Sequence, residues 1–433
     1  MGQEKIAVSR LERAGKLVNT GAKVGANYMK HYARQLVNTE GSRETLEKEN
    51  AKDIYEAFSE LKGGPLKVAQ MLSMGDQVLP KAYTDQFALA QNQVSPLSLP
   101  LIQKTFRKSF GKNPEELFEE FSPEAVNAAS IGQVHKGKIK DQYYAIKLQY
   151  PGVASSLQSD LRMIAPVATR VLGFKKSEIT PYLAEVESKL MEETNYRKEL
   201  ENARVIIEGC KQIKGLVFPD FLPELSNDRV LTMTWLDGQS LSDWLTTKPT
   251  QAQRNQIGQY LWDFYQHQIH NLLVVHADPH PGNFIITDSF ELGIIDFGCV
   301  KYLPKAFHDS YLELLKAGQN TSSNDFSSAL TDLELMHADD SEKDRKLILE
   351  IFQNMFQLVG KPFYSESFDF GDDAYFKQIY DQGEALSRDS SLRGLTARGS
   401  RHFIYFNRTY FGLYQLLNQL QAVVEIKTGR AKK

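Results

Sequence analysis

Two neighbouring stretches of sequence decide the fold, and they read HADPHPGN at residues 276–283 and IIDFG at residues 294–298. The segment between them has two short apolar runs around a Thr-Asp-Ser turn, which predicts a β-hairpin. Because the open ends of a hairpin meet, Asn283 should lie beside Asp296. An amide oxygen and a carboxylate oxygen at one point suit Mg²⁺, which prefers oxygen ligands.

The spacing of the polar residues matches that of a protein-kinase active site. Asp278 precedes Asn283 by five residues, as in the kinase catalytic loop, and Asp-Phe-Gly follows. Lys147 lies in a strand pattern between apolar residues, where a buried charge needs an anionic partner such as a phosphate. In a kinase arrangement Asp278 would orient or deprotonate the nucleophile, Asn283 and Asp296 would hold Mg²⁺, and Lys147 would contact the phosphates of ATP.

Six sequence blocks in a fixed order resemble the UbiB/AarF family of atypical kinase-like proteins. They are KVAQ at 67–70, AASIGQVH at 128–135, AIKLQYPGV at 145–153, ETNY at 193–196 and the two stretches quoted above. The resemblance implies an α+β, two-lobed protein-kinase-like fold. An N-terminal helical extension at residues 1–110 would pack over the active-site cleft. A small mixed lobe at residues 111–236 and a helical lobe at residues 237–433 would follow.

In that family an alanine-rich loop covers the nucleotide in place of the glycine-rich loop of protein kinases. The resemblance assigns this loop to Ala128, Ala129 and Ser130, and assigns adenine binding to the backbone of Thr234 and Leu236 at the hinge between the lobes. Cβ atoms restrict how closely a loop backbone approaches phosphates. The kinase sequence Ala-Pro-Glu, which closes the peptide-substrate segment, is also missing after Asp-Phe-Gly. Both differences argue against an ordinary protein kinase.

Lys67 and Gln70 share one face of a predicted, otherwise apolar helix, because they are three residues apart. Burial of this helix would oblige both polar side chains to find partners. The resemblance implies that the helix regulates the site by lying over the cleft and blocking peptide docking. It also implies a contact between Lys67 and Glu193. The chain departs from the family at Ala69, where Gly is usual, and at Asn195, where a second carboxylate is usual.

The glutamate expected to pair with Lys147 is Glu199. It follows Glu193 by six residues, which is about 600° of rotation on a helix, so the two side chains point to different sides. Glu193 can then face the preceding helix while Glu199 faces the lysine. Glu192, Glu193 and Glu201 are the alternatives, and a solvated acidic helix face is the simpler interpretation of the same pattern.

The composition limits the classes of function. The chain has 433 residues, 42% of them hydrophobic, and a formal net charge of −3, which is typical of a globular protein and excludes a nucleic-acid-binding polycation. Two cysteines, Cys210 and Cys299, indicate a reducing compartment. The sequence contains no apolar run long enough to span a bilayer and no apolar signal core. We therefore expect a cytoplasmic protein.

The first 35 residues form a basic, weakly amphipathic segment. Its Lys and Arg residues are Lys5, Arg10, Arg13, Lys16, Lys23, Lys30 and Arg34. Such a segment can lie on an anionic membrane surface as a peripheral contact. Alternatively it packs on its own protein, which we favour because Gly21 and Gly25 weaken a free helix. A further apolar helix is predicted at residues 251–275.

Two other functions fit part of the pattern. His276, Asp278 and His280 alternate in sequence and would suit a metal-dependent hydrolase, although the intervening prolines indicate a rigid loop and Lys147 would have no role. A pseudokinase that binds nucleotide and lipid without turnover would keep the same residues. The resemblance itself implies phosphoryl transfer or ATP hydrolysis in ubiquinone or related isoprenoid-lipid metabolism, with a lipid or quinone-precursor ligand.

Overall fold

The period-two segment around Lys147 is the centre of an antiparallel sheet in the computed structural model. The strands of this sheet are β1 (Glu120–Phe121), β2 (Asn127–Ala128), β3 (Gly132–Ile139), β4 (Gln142–Gln149) and β6 (Val230–Thr234). β4 lies between β3 and β6, and β3 also pairs with the two short strands. Ile146 and Leu148 of β4 are fully buried. The strand predicted from period-two alternation is therefore confirmed.

The structure describes residues 10–36, 43–66, 81–88, 96–128, 131–170, 183–184, 187–188, 190–191, 193–317, 324–388 and 398–426. Lys67, Gln70, Ala129 and Ser130, which carry predicted roles, lie outside these ranges. The chain divides into two compact units. Unit 1 comprises Met1–Leu200 and Asp220–Trp235, and unit 2 comprises Glu201–Pro219 and Leu236–Lys433.

Unit 1 combines the antiparallel sheet with helices that precede and follow its strands along the chain. These are α1 (Arg10–Leu36), α2 (Arg43–Leu61), α3 (Lys81–Ala88), α4 (Leu99–Phe110), α5 (Val153–Arg170) and the first turn of α6 (Tyr196–Cys210). Ile146 and Leu148 of the sheet share one hydrophobic core with Phe106 of α4 and Leu157 of α5. The helical segment before residue 111 thus belongs to the same compact unit as the sheet.

Arg13 of α1 is almost completely buried and holds the N-terminal helices together. Its guanidinium donates two hydrogen bonds to the Asp160 carboxylate, at 2.7 and 2.6 Å, and a third to the Leu61 carbonyl at 2.7 Å. Both side chains of this ion pair are 1% exposed. Helix α1 therefore packs on its own protein through Arg13, Thr20 and Val24, which is the favoured of the two interpretations of the basic segment.

Unit 2 contains the predicted hairpin. Strands β9 (Phe284–Ile286) and β10 (Leu292–Ile294) are antiparallel, with Phe284 opposite Ile294. The sheet is completed by β5 (Leu216–Val217), parallel to β10, and β7 (Gln239–Ser240), antiparallel to β9. A second ladder pairs β8 (Val274–His276) with β11 (Val300–Tyr302). The segments that enter and leave the catalytic stretch are thereby paired with each other.

The helix predicted at residues 251–275 is shorter than expected. Helix α8 (Gln251–His267) starts at a capping box formed by Thr250 and Gln253, and it continues as a π-helical turn only to Leu272. Leu273 then adopts a left-handed conformation with φ 54°, and β8 begins. The prediction was wrong at its end because a short apolar run fits a buried strand as well as a helix, and pairing with β11 decides between them.

The remainder of unit 2 is mostly helical, as predicted. The helices are α7 (Leu241–Thr246), α9 (Lys305–Ala317), α10 (Asn324–Asp332), α11 (Glu342–Val359), α12 (Asp373–Arg388) and α13 (Arg401–Gln419), with a small ladder of β12 (Ser367–Asp369) and β13 (Val423–Glu425). Aromatic side chains fill the core, for example Tyr311 and Phe406 with ring centroids 4.6 Å apart. Within the described ranges, none of the helices combines the length and apolar character needed to cross a membrane.

The buried ion pair predicts a stability test. We expect Arg13→Met to lower the free energy of unfolding by about 3–5 kcal/mol, because it leaves the Asp160 carboxylate buried without its counter-charge. The double variant Arg13→Met/Asp160→Leu should recover most of this loss, since no unpaired charge remains. Urea unfolding measures both. Lys16→Met is the matched control, because Lys16 lies on the same helix as Arg13 and its ion pair with Glu60 of α2 is solvent-exposed. Equal losses for Arg13→Met and Lys16→Met would contradict the account.

Candidate functional site

Lys147 and Glu199 form an ion pair inside unit 1. The Lys147 ammonium donates to the Glu199 carboxylate at 2.5 Å, and the two side chains are 12% and 3% exposed. Because Ile146 and Leu148 occupy the opposite face of β4, Lys147 points away from the hydrophobic core. The predicted pairing with Glu199 is present. The argument from helix rotation was wrong, because Glu193 precedes the helix of Glu199, which begins at Tyr196.

Asn195 starts the helix that presents Glu199. Its side-chain oxygen accepts a hydrogen bond from the backbone N–H of Lys198 at 3.1 Å, and its carbonyl accepts one from the N–H of Glu199 at 3.0 Å. Gln149, at the end of β4, donates to the carbonyl of the preceding residue, Thr194, at 3.0 Å. Where the family has a carboxylate, this chain therefore has a helix N-cap that is tied to the strand carrying Lys147.

The nucleotide-loop and regulatory residues are described only in part. Ala128 ends β2 and pairs with Gln133, whereas Ala129 and Ser130 lie outside the described residues. Gly132 follows this loop, and a Cβ at that position would approach the Leu148 carbonyl oxygen to 2.6 Å. Glu193 is half-buried. Since its predicted partner Lys67 is outside the described ranges, that contact stays a prediction.

The predicted hinge has one of its two backbone donors already in use. The Thr234 N–H donates to the Asp220 carbonyl at 2.8 Å, and the Thr234 hydroxyl accepts from the Asp220 N–H at 2.9 Å. The Thr234 N–H is thus committed within unit 1 and does not face a ligand. Leu236 is the first residue of unit 2 in this segment. Adenine recognition by the Thr234 carbonyl and by Leu236 remains a prediction.

Asp278 and Asn283 contact each other on the catalytic loop of unit 2. The Asn283 amide nitrogen donates to the Asp278 carbonyl at 2.9 Å and to its carboxylate at 3.1 Å. The Asn283 carbonyl accepts from the N–H of Ile295 at 3.1 Å, so the hairpin does bring Asn283 next to the residue that precedes Asp296. Because the amide nitrogen is directed at Asp278, the amide oxygen points away from it. The orientation of Asn283 is therefore fixed.

Asp296 is held from two directions. One of its carboxylate oxygens accepts the Gly298 N–H at 2.9 Å, and its carbonyl lies 2.8 Å from Nε2 of His276. The donor set that Asn283 and Asp296 offer consists of oxygens, one amide and one carboxylate. It fits a hard cation such as Mg²⁺, which completes its coordination with water and phosphate oxygens. Among the described residues, no three His, Cys, Asp or Glu side chains come together as a metal site.

His276 is a structural residue rather than a metal ligand. It is 1% exposed, its Nε2 lies 2.8 Å from the Asp296 carbonyl and its Nδ1 lies 3.2 Å from the Tyr265 hydroxyl. A carbonyl only accepts, so Nε2 carries the proton and Nδ1 accepts from Tyr265. Burial lowers the pKa of His276, while Asp278 and Asp296 oppose that shift. With both ring nitrogens engaged, the hydrolase alternative loses its first ligand.

Sequence reasoning did not identify the residues that support this loop. Tyr265 and Gln268 lie on the helix before it, and the Gln268 side-chain oxygen accepts the His276 N–H at 2.7 Å. Both positions look like ordinary helix residues in the sequence. The sequence offers one signal for them: a tyrosine and a glutamine lie in an apolar helical stretch just before the predicted loop. If such a stretch is buried, each of the two needs a hydrogen-bonding partner.

The burial of His276 predicts how stability depends on pH. Its folded-state pKa lies below the unfolded value of about 6.5, so its neutral form favours folding above that pH and the contribution is lost as the pH falls further. We expect His276→Gln to flatten the decline in unfolding free energy between pH 7 and 5.5, because glutamine does not titrate in this range. Urea unfolding at both pH values measures this. The control His337→Gln removes an exposed histidine, and an identical flattening there would refute the assignment.

Comparisons with known proteins relate the chain to atypical kinase-like proteins. A family model described as the ABC1 atypical kinase-like domain matches residues 89–329. An uncharacterized chloroplastic aarF domain-containing protein kinase of Arabidopsis thaliana is 29% identical over 67% of the chain. A probable serine/threonine-protein kinase, abkA, of Dictyostelium discoideum is 25% identical over 74% of it. The chain spans only 42% and 60% of the lengths of these two relatives.

A solved structure shares the fold. Rv3197 of Mycobacterium tuberculosis, in a complex with erythromycin, aligns over 94% of this chain and 96% of its own chain, with a TM-score of 0.58 and 23% identity. Together with the mixed sheet and helix content, this likeness confirms the α+β kinase-like fold class. At this level of identity it supports the fold alone.

Proposed function

Since the chain belongs to the UbiB/AarF family, whose ABC1 atypical kinase-like domain it contains, we propose that it binds ATP with Mg²⁺ and transfers or hydrolyses the terminal phosphoryl group. The observation that carries this proposal is the catalytic loop of unit 2, where Asn283 contacts Asp278 and closes the hairpin before Asp296. Protein kinases use an Asp and an Asn of the catalytic loop and the Asp of Asp-Phe-Gly in these three roles. The phosphoryl acceptor and the metabolic pathway of this protein are likewise proposed, below.

Asn283 and Asp296 are proposed to hold Mg²⁺ through their side-chain oxygens. The metal would neutralise phosphate charge when bound. Asn283 contributes its amide oxygen because its nitrogen already donates to Asp278. Asp296 contributes carboxylate oxygen while the Gly298 N–H fixes the orientation of that carboxylate. Both ligands are therefore oriented before any nucleotide arrives, which lowers the cost of binding.

Asp278 is proposed to orient or deprotonate the attacking hydroxyl or water. Asn283 donates a hydrogen bond to its carboxylate and so restrains its rotation. Lys147 is proposed to contact the phosphates, with Glu199 holding its ammonium in place. A fixed ammonium loses less side-chain entropy on binding than a flexible one. The alanine-rich loop with Ala128 would cover the nucleotide, and Thr234 and Leu236 would receive the adenine.

We further propose that the acceptor is not a peptide. Support comes from the missing Ala-Pro-Glu sequence and from the family resemblance, by which the helix with Lys67 and Gln70 covers the peptide surface. The resemblance also supports a role in ubiquinone or other isoprenoid-lipid metabolism. A protein kinase is the second candidate, because the Dictyostelium relative bears that description. A nucleotide-binding pseudokinase is the third.

A peripheral membrane contact would accompany a lipid-linked acceptor. Helix α1 exposes Val18 and Met29, at 73% and 69%, on the side away from its buried Arg13. Lys23 and Lys30 are exposed on the same helix. Apolar side chains next to lysines favour an anionic lipid surface. This face supports the proposed contact, whereas Arg13 is excluded from it by its ion pair with Asp160.

The metal assignment is tested by nucleotide binding. We expect wild-type protein to bind a fluorescent ATP analogue more tightly with Mg²⁺ than with EDTA. Asp296→Asn should remove that difference, because the substituted amide lacks the negative charge that the cation needs. The matched control is Asp288→Asn, the same substitution at the exposed turn of the same hairpin. Full Mg²⁺ dependence in folded Asp296→Asn protein would overturn the assignment.

The acceptor is tested by phosphate transfer from labelled ATP. We expect inorganic phosphate release or labelling of lipid extract, and at most background labelling of generic protein substrates such as casein. Lys147→Met should lower the binding of nucleotide by about tenfold to a hundredfold, because a charge-assisted hydrogen bond is lost. The control Lys112→Met alters an exposed lysine of unit 1.

Each outcome of the transfer assay points to one candidate. Casein labelling that disappears in Lys147→Met would favour the protein kinase. Mg²⁺-dependent binding without any turnover would favour the pseudokinase. Phosphate release or lipid labelling that requires Lys147 would support the proposed activity.

A further inference from the structure

Two residues of the Asp-Phe-Gly segment, Asp296 and Phe297, are held by side chains from two different elements. His276 of β8 lies 2.8 Å from the Asp296 carbonyl. Asn202 of α6 donates its amide N–H to the Phe297 carbonyl at 3.3 Å. The Phe297 ring is fully buried, with its centroid 6.3 Å from that of His276. Asn202 is itself 3% exposed, and it belongs to unit 2 like the segment that it contacts.

The contact made by Asn202 passes directly to Asp296 through one peptide group. The Phe297 carbonyl and the Gly298 N–H belong to the same planar unit and point in opposite directions. Asn202 holds the carbonyl at one end of this plane, and the Asp296 carboxylate accepts the Gly298 N–H at the other end, at 2.9 Å. Rotation of the plane would break both hydrogen bonds at once.

The hydrogen bonding of Asn202 indicates that this residue orients the Asp-Phe-Gly segment and contributes little to the stability of the fold. Its side-chain oxygen is buried and has no hydrogen-bond partner among the described residues. Turning the amide over would place that oxygen against the Phe297 carbonyl, so the orientation is fixed by the one bond that it makes. A buried amide that is only half satisfied stabilises the fold less than an apolar side chain of similar size.

We propose that Asn202 is a positioning residue for the magnesium ligand Asp296. Its amide fixes the peptide plane between Phe297 and Gly298, and this plane fixes the carboxylate that would meet the cation. This proposal rests on the proposed function in one respect, namely that Asp296 binds the magnesium ion. The effect of Asn202 on the Asp296–Gly298 segment is a property of the metal-free protein.

The first arm of the test is amide hydrogen exchange in the metal-free, nucleotide-free protein. Asn202→Leu keeps the branching of the side chain, although leucine is larger, and removes the donor. Asn202→Asp puts an acceptor against the carbonyl. Both should speed exchange of the Gly298 amide by about tenfold, the equivalent of one lost hydrogen bond. Asn202→Leu should change the melting temperature little, because the apolar side chain offsets the hydrogen bond that the Phe297 carbonyl loses. Glu208→Gln is the control, because Glu208 is exposed on the same helix.

The second arm is the Mg²⁺ concentration that half-saturates binding of the fluorescent ATP analogue. We expect this midpoint to rise by about tenfold in Asn202→Leu, while the affinity measured in EDTA stays unchanged. A purely structural residue would instead lower the melting temperature and leave the midpoint where it was.

The two arms separate the two proposals. Gly298 exchange that is unchanged in Asn202→Leu overturns the positioning role, whatever the nucleotide data show. Faster exchange supports that role even if wild-type protein shows no Mg²⁺-dependent binding, and in that case the proposed function fails alone. If Asn202→Asp does not fold, Asn202→Leu carries the test.

Discussion

The register of one short hairpin determines the chemistry of unit 2. Phe284 lies opposite Ile294, and the next hydrogen bond joins the Ile295 N–H to the Asn283 carbonyl. Because side chains alternate along a strand, a slip of one residue would send Asp296 to the other face of the sheet. The buried side chains of Phe284, Ile286, Leu292 and Ile294 prevent such a slip. The core of unit 2 thereby fixes the backbone positions of Asn283 and Asp296, the two proposed metal ligands.

The hairpin, the kinase-like order of Asp278, Asn283 and Asp296, and the pair of Lys147 with Glu199 could all be predicted from the sequence. Short apolar runs around a turn predicted the hairpin, and the kinase-like spacing of the polar residues predicted the rest. The role of Asn195 was less accessible. The sequence showed that a carboxylate is missing at this position. That Asn195 acts as an N-cap depends on where the helix starts, and the glutamate-rich segment did not reveal this start.

Other features depend on contacts between residues that are distant in sequence. Arg13 belongs to a basic run that looks solvated, and only the approach of Asp160 makes its burial favourable. His276 resembled a metal ligand until Tyr265 and the Asp296 carbonyl occupied both of its nitrogens. Asn202 belongs to no recognisable motif. In each case the partner lies on another helix or strand, and the pattern of a single sequence does not show which distant residues come into contact.

The central claim is that Asn283 and Asp296 hold one magnesium ion for a bound nucleotide. A crystal structure of the protein with Mg²⁺ and a non-hydrolysable ATP analogue tests it most directly. The account predicts a metal ion with oxygens from Asn283 and Asp296 at about 2.0–2.1 Å and with phosphate oxygens in its remaining coordination sites. A metal ion bound instead through His276 or His280, or a nucleotide bound without contact to Asn283 and Asp296, would contradict it.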